Sequence, residues 1–261
     1  MIASIALPST STLQPFLAFL RLEILRVTRN RRFLLLTFGF PLLFYLLYTR
    51  ITPSQGIVAG SPWPVHFMVS MAIFGAIGAS FSVGGQRLSS ERASGWTRQL
   101  RITPLPPFAY TLTKAIAALA VTLPALIVVA AAAVVLDDVR LSPATWIGLI
   151  VTLWIGSLPL AALGLVLGFV LDADTAQIGN SLIYFGLAFL GGLFEPSQAM
   201  PSVMRQIAQW MPTGRLGDLG WRAVAGQAFN PTDALVLLGY AVVLFAAVAW
   251  LYRRDASEEH G

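Results

Sequence analysis

Six long apolar runs, separated by polar segments, dominate the chain. Each approaches the length of about 20 residues that a membrane-spanning helix needs, although the first and the fifth runs are short. A proline inside the first run is compatible with a span, because neighbouring helices can satisfy the backbone groups that it frees. The pattern therefore predicts an all-α membrane protein with six transmembrane helices. The six runs are Phe33–Tyr48, Val65–Gly84, Ala115–Leu136, Trp146–Leu171, Ile178–Phe194 and Ala234–Tyr252.

The composition agrees with a membrane protein. Hydrophobic residues make up 56% of the 261 residues, charged residues make up 11%, and the mean hydropathy is +0.73. A soluble domain carries roughly a quarter charged residues. The net charge is +5, but the basic residues lie just outside the apolar runs, as membrane topology requires, so no nucleic-acid partner is expected. The absence of cysteine excludes disulfides and thiolate metal sites.

The basic residues predict the orientation of the spans. Twelve Lys and Arg residues lie in the N-terminal segment, in the segment after the second run and in the C-terminal tail, against five in the segments on the other side. The positive-inside rule places both termini and residues 86–114 in the cytoplasm. Sixteen arginines against one lysine suggest a GC-rich bacterial source. We therefore expect a multi-pass protein of the bacterial inner membrane.

The N-terminal segment, residues 1–32, contains a predicted amphipathic helix. Apolar residues recur at three- and four-residue spacing between Leu13 and Arg32, with arginines between them, which is typical of a helix that lies in the membrane interface. A helix that is simply solvated is the alternative. The transmembrane domain would then occupy residues 33–252, and residues 253–261 would form a cytosolic tail. The apolar face is predicted to contain Leu13, Phe16, Leu17, Leu20, Ile24 and Val27.

The segment SSERASGWTRQLRITPLPPFAY, residues 89–110, is charged and ends in prolines although it lies between two apolar runs. Ser89 or Ser90 can cap a helix. Residues 91–102 can form about three turns, and the prolines from Pro104 onwards end it. We therefore expect a short cytosolic helix, at about residues 89–104, that could receive movement from a partner. The alternative is that the arginines only fix the topology.

A long segment before the last run, about residues 195–231, is predicted to contain two short re-entrant helices on the outer side. Pro201 can open the first helix and Pro212 can end it. The second helix is expected at Arg215–Ala225. Both are expected to pack against the outer ends of the spans. The apolar face of the first contains Val203, Met204, Ile207, Trp210 and Met211, and that of the second contains Leu216, Leu219, Ala223 and Val224.

The chain has no motif that would supply energy or catalysis. The lysine in LTKAIAAL has no glycine loop before it, so no phosphate-binding loop is present. His66 and His260 are the two histidines, too few for a His-rich metal site. All twelve acidic residues lie outside the interiors of the predicted spans, whereas ion-coupled carriers place such residues within the membrane. We expect no catalytic residue, metal or cofactor in this chain.

Two motifs resemble those of type-2 ABC-transporter permeases, the membrane subunits of bacterial ABC exporters of the drug- and antibiotic-efflux type. Residues 91–104, ERASGWTRQLRITP, resemble the E-x-x-x-G…L-x-x-T-P signature that follows the second span, although Trp96 and Arg98 depart from its commonest pattern. Residues 191–226, beginning GGLFEPSQAMP, resemble the outer proline-stopped segment of the family. The six runs and the basic N-terminal helix agree as well, so the resemblance covers essentially the whole chain.

The resemblance implies a partner assembly and candidate site residues. Two copies of this chain would form a homodimer in the membrane lipid. The homodimer would join two copies of a separate ABC ATPase, which binds ATP and Mg. The second and fifth spans would line the substrate path at the dimer axis. The ATPase-coupling residues would be Glu91, Gly95, Thr97, Leu100 and Pro104. The substrate path would include Phe74, Phe81, Asn180 and Tyr184, with ordinary helix packing as the alternative, and the outer re-entrant helix Glu195, Pro201, Ile207 and Pro212.

These expectations define one leading function and one alternative. The leading function is the permease subunit of an exporter that moves a hydrophobic or amphiphilic substrate, such as a drug, antibiotic, lipid or lipopeptide, outwards. The ATPase activity would lie in the partner chain. The alternative is a non-transporting sensory or assembly subunit that contacts an ATPase. Gly164-x-x-x-Gly168 in the fourth run permits close helix approach. We expect it to serve packing within one chain, with a contact between two chains as the alternative.

Overall fold

A computed structural model describes residues 13–51, 56–96, 107–196 and 199–258, and most of them are helical. The helices in chain order are α1 (Leu13–Thr28), α2 (Arg31–Ile51), α3 (Trp63–Phe81), α4 (Arg87–Ala93), α5 (Pro107–Asp137), α6 (Pro143–Gly156), α7 (Leu158–Val170), α8 (Ala173–Leu190), α9 (Ser202–Ala208), α10 (Pro212–Val224) and α11 (Pro231–Glu258). A π-helix, Ser82–Gln86, joins α3 to α4 without a break.

Two strands correct the expectation of an all-α fold. Strands β1 (Ile57–Val58) and β2 (Ser61–Pro62) pair antiparallel, with Val58 opposite Ser61. The turn between them contains Ala59 and Gly60, both at positive φ. Each strand has two residues, which is too short for an alternation of apolar and polar residues to predict it from the sequence. The hairpin closes the connection before α3, whose first turn contains Pro64, a favoured residue at that position.

Five helical segments in the described residues are long and apolar enough to cross a membrane: Leu34–Ile51, Trp63–Ala93, Tyr110–Asp137, Pro143–Val170 and Pro231–Asp255. They cover five of the six predicted runs. The remaining run corresponds to α8, whose 18 residues extend about 27 Å. Asp174, Gln177 and Asn180 reduce its apolar character. The crossing of the membrane by α8 therefore stays a prediction.

Side-chain contacts define two ends of the helical bundle. At the cluster end, α1 and α4 meet the start of α5, and Asp255 of α11 contacts Arg92 of α4. At the hairpin end, Arg50 in the last turn of α2 pairs with Asp137 of α5 at 3.2 Å. Asp233 of α11 pairs there with Arg215 of α10. The described parts of the predicted cytoplasmic segments thus lie together at the cluster end, and the described parts of the predicted outer segments lie at the hairpin end.

Helix α3 forms the centre of the bundle. Nearly all of its residues are buried, and its buried side chains belong to a large apolar core that also includes residues of α5, α6, α7 and α10. Helices α2 and α11 instead expose long apolar faces, as surfaces in contact with lipid or another membrane subunit do. The central position of α3 follows from its all-round apolar character, since a helix that is apolar on every face is stable when surrounded.

The glycines of α7 allow it to approach α3 and the π-helix very closely. A Cβ on Gly164 would lie 2.7 Å from the Ser80 carbonyl oxygen, and one on Gly168 would overlap the Gly84 carbonyl oxygen. No side chain fits between these backbones. The prediction that the Gly164-x-x-x-Gly168 pair serves packing within one chain is confirmed.

The fourth predicted run forms two helices rather than one. Helix α6 ends at Gly156, α7 begins at Leu158, and the turn contains Ser157. Pro159 lacks the backbone donor that would continue the ladder, so the kink has a local cause. The Ser157 hydroxyl donates to the Trp154 carbonyl oxygen at 2.7 Å. By length and composition the two pieces together form one candidate span, Pro143–Val170.

The outer segment contains the two predicted helices with different bounds. Pro201 directly precedes α9, as predicted, but α9 ends at Ala208, and Pro212 begins α10 instead of ending α9. Residues Leu216 and Leu219 of α10 are buried in the core, which confirms their predicted packing. The predicted face of α9 is packed only in part: Met204 and Met211 are half-buried, and α9 contacts α8 and α10. Among its apolar residues Val203, Ile207 and Trp210 are exposed, as is Glu195 before it.

Candidate functional site

Lys114 is the most deeply buried charge among the described residues. It lies one turn after Tyr110 on α5, and its side chain has no exposed surface. Its ammonium nitrogen Nζ lies 2.6 Å from Oε1 of Glu23 on α1 and 2.8 Å from the carboxylate of Glu91 on α4. Three elements that are far apart in sequence therefore meet at one side chain. Both carboxylates are also almost fully buried, with 3% and 6% of their side chains exposed.

Three further side chains complete this group. The guanidinium of Arg26 donates to Glu91 at 3.2 Å. Arg87 lies 3.9 Å from both carboxylates. The hydroxyl of Tyr110 donates to Oε2 of Glu91 at 2.8 Å. We call this group the charge cluster, and it consists of Glu23, Arg26, Arg87, Glu91, Tyr110 and Lys114.

The charge cluster is stable because its charges are paired. Three cations face two carboxylates, and each carboxylate has at least two cationic neighbours. Desolvating an ion costs several kcal/mol, which only close pairing and additional hydrogen bonds can offset. The carboxylate of Glu91 therefore depends on Lys114, Arg26 and Tyr110 together. Such a network specifies the relative positions of α1, α4 and α5, because a displaced helix would leave a buried charge without its partner.

A second set of contacts ties α4 to the ends of α7 and α11. The guanidinium of Arg92 donates to Oδ1 of Asp255 at 2.6 Å and to the carbonyl oxygens of Phe169 and Gly168 at 2.7 and 3.3 Å. The two carbonyls belong to the last turn of α7, where carbonyl groups lack helical partners and cations bind favourably. Helix α4 is thus held on opposite sides, by the charge cluster and by Arg92.

The structure changes the interpretation of the predicted coupling helix. Ser89 and Ser90 lie inside the continuous helix Trp63–Ala93, and the Ser89 hydroxyl donates back to the Gly85 and Gln86 carbonyl oxygens. The prediction that a serine caps a new helix here is therefore wrong. The helix ends at Ala93, and Gly95 has a φ of +71°, a conformation that glycine adopts most readily. Thr97, Leu100 and Pro104 lie outside the described residues.

Glu91 differs most from its predicted surroundings. A residue that contacts a partner ATPase directly would lie on the surface, whereas Glu91 is buried in the charge cluster. Its carboxylate instead holds α4 against α1 and α5. The surface next to it is formed by other residues, which sequence reasoning did not single out.

That surface is a groove with a volume of ≈ 660 Å³ beside the charge cluster. We call it the α1–α4 groove, and it is lined by Phe19, Leu22, Glu23, Leu25, Arg26, Arg29, Asn30, Arg87 and Trp96. Leu22, Leu25 and Trp96 are exposed. Exposed apolar side chains beside three arginines form a surface that can contact a partner protein or the membrane interface.

Helix α1 forms where the amphipathic helix was predicted, and most of the described part of its predicted apolar face lies toward the protein, since Phe16, Leu20 and Ile24 are half-buried. Phe19, Glu23 and Val27 are buried, whereas Leu17 is half exposed. The buried stripe thus contains a carboxylate in place of a leucine. Periodicity favoured the leucines because it counts apolar residues and cannot recognise an acidic residue that has a buried lysine as partner.

The predicted substrate-path residues divide into two groups. Phe74 is fully buried, stacked on Tyr184 with ring centroids 4.4 Å apart, and it packs within the core of α3. Phe81, Asn180 and Tyr184 instead line one cavity of ≈ 320 Å³ between α2, α3, the π-helix and α8. In this conformation Phe74 serves helix packing, and the other three border an open space.

Asn180 gives this cavity its most specific feature. Its Nδ2 donates to the Ala176 carbonyl oxygen at 2.7 Å, whereas its Oδ1 is buried and has no hydrogen-bond partner among the described residues. Gly85 of the π-helix lies directly against the amide, and a Cβ there would overlap it. π-Helical turns occur often at functional sites. Asn180 thus adds an unpartnered neutral acceptor to a lining that combines apolar side chains with hydroxyl and amide groups.

The members of the charge cluster other than Glu91 were missed by sequence reasoning. Lys114 was recognised only as a lysine without a phosphate-binding loop and as part of the basic count. The signal that could have found it is its position, because a single lysine near the start of an apolar run needs a buried acidic partner. Glu23 and Glu91 are the acidic residues in the predicted cytoplasmic segments before it.

Fold and site together define a multi-pass helical membrane protein with a fixed charged junction at one end. The ABC-2 family transporter proteins match residues 62–250 of the chain. The chain is also 31% identical over 235 residues to the Bacillus subtilis (strain 168) protein described as "Putative transport permease YvfS", with 89% of this chain and 95% of that protein covered. The chain therefore belongs to the ABC-2 family of transporter proteins. This membership implies an ABC ATPase as partner.

Proposed function

We propose that this chain is the permease subunit of an ATP-driven exporter and that the charge cluster transmits movement from the ATPase to the spans. The burial of Lys114 between Glu23 and Glu91 carries the proposal. It joins the amphipathic helix α1, the end of the central helix and the start of α5 into one unit. A force on any of the three is therefore passed to the other two.

The energy for this movement enters from a partner chain. The sequence lacks a phosphate-binding loop, so ATP and Mg would be bound by the ATPase. Two copies of this chain would assemble with two copies of that ATPase. The exposed apolar faces of α2 and α8 leave surfaces on which a second copy can pack.

The α1–α4 groove is the proposed docking surface for the ATPase. Its exposed apolar side chains can enter a pocket of the partner, and its arginines can pair with acidic residues there. It lies directly over the charge cluster, so movement of the docked partner would reach Glu91 through Arg26 and Arg87. Both termini and this groove would face the cytoplasm of a bacterial cell, with the hairpin end outside.

The cargo would be a hydrophobic or amphiphilic molecule with neutral polar groups. The cavity at Phe81, Asn180 and Tyr184 contains hydroxyl and amide groups but no charged side chain. The unpartnered Oδ1 of Asn180 can accept a hydrogen bond from such a group. The cavity borders the exposed face formed by α2 and α8, where Leu36, Phe40 and Leu182 are exposed. A drug, antibiotic, lipid or lipopeptide would fit this description.

A reconstitution experiment tests the proposal. The chain is co-purified with its ABC ATPase, and association, ATP hydrolysis and uptake of labelled amphiphiles are measured in inside-out proteoliposomes. Arg29→Glu reverses a charge on the exposed groove, and we expect it to weaken ATPase association at least tenfold while the chain remains folded. Arg253→Glu is the matched control, because Arg253 is exposed in the tail beyond the groove.

Two results would contradict the proposal in different ways. Equal association of the Arg29→Glu and Arg253→Glu variants would place the ATPase elsewhere. Normal ATPase association and hydrolysis without uptake of any amphiphile would favour the sensory or assembly subunit over the exporter.

A further inference from the structure

A charged pocket lies at the hairpin end, away from the charge cluster and from the cavity at Phe81, Asn180 and Tyr184. Its volume is ≈ 320 Å³, and it lies between the starts of α3 and α11 and the helices α9 and α10. We call it the outer pocket. Its polar lining includes His66, Arg205, Arg215, Asp218, Arg222 and Asp233. Segments from four parts of the sequence contribute to it, so only the tertiary structure reveals it.

Two of its three arginines are neutralised by carboxylates. Arg215 donates to Oδ1 of Asp233 at 2.6 Å, and Arg222 donates to Oδ2 of Asp218 at 2.6 Å. The carboxylate of Asp218 raises the pKa of the Arg222 guanidinium, which therefore stays protonated. Both pairs hold the walls of the pocket in place, and their charges cancel.

Arg205 is the third arginine of the pocket, and its positive charge is not neutralised by either carboxylate of the lining. Among the described residues it has no carboxylate within ion-pair distance, and its Nη2 donates to the Met200 carbonyl oxygen at 3.3 Å. The pocket also contains two buried nitrogen atoms without a hydrogen-bond partner in the described chain, Nδ1 of His66 and Nε of Arg215. His66 as a whole is 4% exposed. Buried polar atoms normally have partners. Nε of Arg215 always carries a hydrogen and therefore favours a ligand oxygen as acceptor, whereas Nδ1 of His66 donates in only one of the two neutral tautomers.

We propose that the outer pocket binds a phosphate group, with Arg205 as its principal cationic contact. Phosphate oxygens accept paired hydrogen bonds from a guanidinium, and such charge-assisted bonds are strong. The phosphate could belong to a lipid head group or be free in solution. Val203 and Ile207 on α9 and Trp210 just after it expose apolar side chains beside the pocket, which would suit the acyl chains of a lipid. The location of the pocket on the outer side rests on the topology proposed above.

Native mass spectrometry of the purified chain in a phosphate-free detergent tests this binding without requiring transport. The probes are dimyristoyl phosphatidylglycerol, dimyristoylglycerol, which lacks the phosphate, and inorganic phosphate. We expect phosphatidylglycerol to bind at least tenfold more weakly to the Arg205→Gln variant. Arg205→Lys should retain part of the affinity. Arg140→Gln is the control, because Arg140 also lies at the hairpin end and forms an exposed pair with Asp138.

The probes distinguish the source of the phosphate. Binding of phosphatidylglycerol without binding of inorganic phosphate identifies a lipid site, and Arg205-dependent binding of inorganic phosphate identifies a site for the free anion. Equal binding of phosphatidylglycerol to the Arg205→Gln and Arg140→Gln variants would overturn the proposal. So would equally tight binding of dimyristoylglycerol, or uptake of neither phosphate probe by the unmodified chain. Because the test involves no ATPase, a failed exporter assignment would leave its result unchanged.

Discussion

Among single residues, Lys114 has the largest energetic consequence for the structure. Its ammonium group has left water completely, and two carboxylates on different helices compensate for the lost hydration. The arrangement is favourable only as a whole, since each member depends on the others for its charge balance. The same argument explains why Glu91 cannot be judged as a surface residue. Its position in the sequence suggested a partner contact, whereas its position in space makes it a joint between helices.

Substitution of Lys114 should therefore be strongly destabilising. We expect Lys114→Met to lower the free energy of unfolding by about 3–5 kcal/mol, because Glu23 loses its close partner while remaining buried. A reduced thermal midpoint of the purified chain measures the effect. Combining Lys114→Met with Glu23→Leu should recover a large part of the loss, since an apolar pair of similar volume removes the uncompensated charge.

The control for this effect is a pair in water. Arg140→Gln breaks the contact to Asp138, in which both side chains are largely exposed, and exposed pairs contribute about 0–1 kcal/mol. Its midpoint should hardly change. If Lys114→Met were equally mild, the charge cluster would not be a fixed junction, and the proposed route from the ATPase to the spans would lose its support.

Among the helices, close contact between α3, the π-helix and α7 has the clearest physical basis. Gly84, Gly164 and Gly168 allow the backbones to touch, and this contact holds the central helix at the place where it becomes π-helical. The extra residue in the π-helical turn alters the direction in which later side chains point. Gly85 thereby comes to lie against α8, and Gln86 lines the cavity at Phe81, Asn180 and Tyr184.

Gly164→Ala should disturb this contact. The added methyl would lie 2.7 Å from the Ser80 carbonyl oxygen, so the helices must separate, and we expect a lower thermal midpoint. Gly239→Ala provides the comparison, because Gly239 is helical in α11 and a methyl added there would have no neighbouring atom within 4 Å. That variant should be neutral or slightly stabilising, since Ala is the better helix former. Equal effects of the two substitutions would refute the close contact.

For the whole molecule, the separation of the two ends is the property on which the proposed export direction depends. Contacts at the cluster end join α1, α4, α5, α7 and α11. Contacts at the hairpin end join the end of α2 to the end of α5, and α10 to the start of α11. This arrangement brings together at one end the described parts of the segments that the basic residues place on one side of the membrane, and the end that faces the cytoplasm stays a prediction. Helix α8 follows Asp172, and the Thr213 hydroxyl donates to the Leu187 carbonyl oxygen near its other end. Its crossing of the membrane stays a prediction.

Cysteine labelling tests this orientation directly, because the chain contains no cysteine of its own. A membrane-impermeant maleimide added to intact spheroplasts should label Ile57→Cys at the exposed hairpin and leave Leu22→Cys on α1 unlabelled. Permeabilised cells should show labelling of both. Labelling of Leu22→Cys in intact spheroplasts would reverse the proposed topology and place the α1–α4 groove on the outer side of the membrane, away from a cytoplasmic ATPase.

Much of the architecture could be predicted because it depends on local pattern. Apolar runs of sufficient length located five candidate spans, proline positions located the start of α9, and three- to four-residue spacing located α1. These features follow from backbone hydrogen bonding and from the transfer of apolar side chains out of water, which act over a few turns. The hairpin before α3 was missed because two residues per strand produce no recognisable alternation.

The sequence by itself determined that this is a membrane protein with charged segments at its ends, because composition and periodicity alone decide which segments can leave water. The tertiary structure decided which charges meet. Glu23, Glu91 and Lys114 are separated by 68 and 23 positions, and Arg205, His66 and Arg215 come from three separate elements. Pairing over such distances depends on how the helices pack, and for a buried charge that pairing decides whether the site is stable at all.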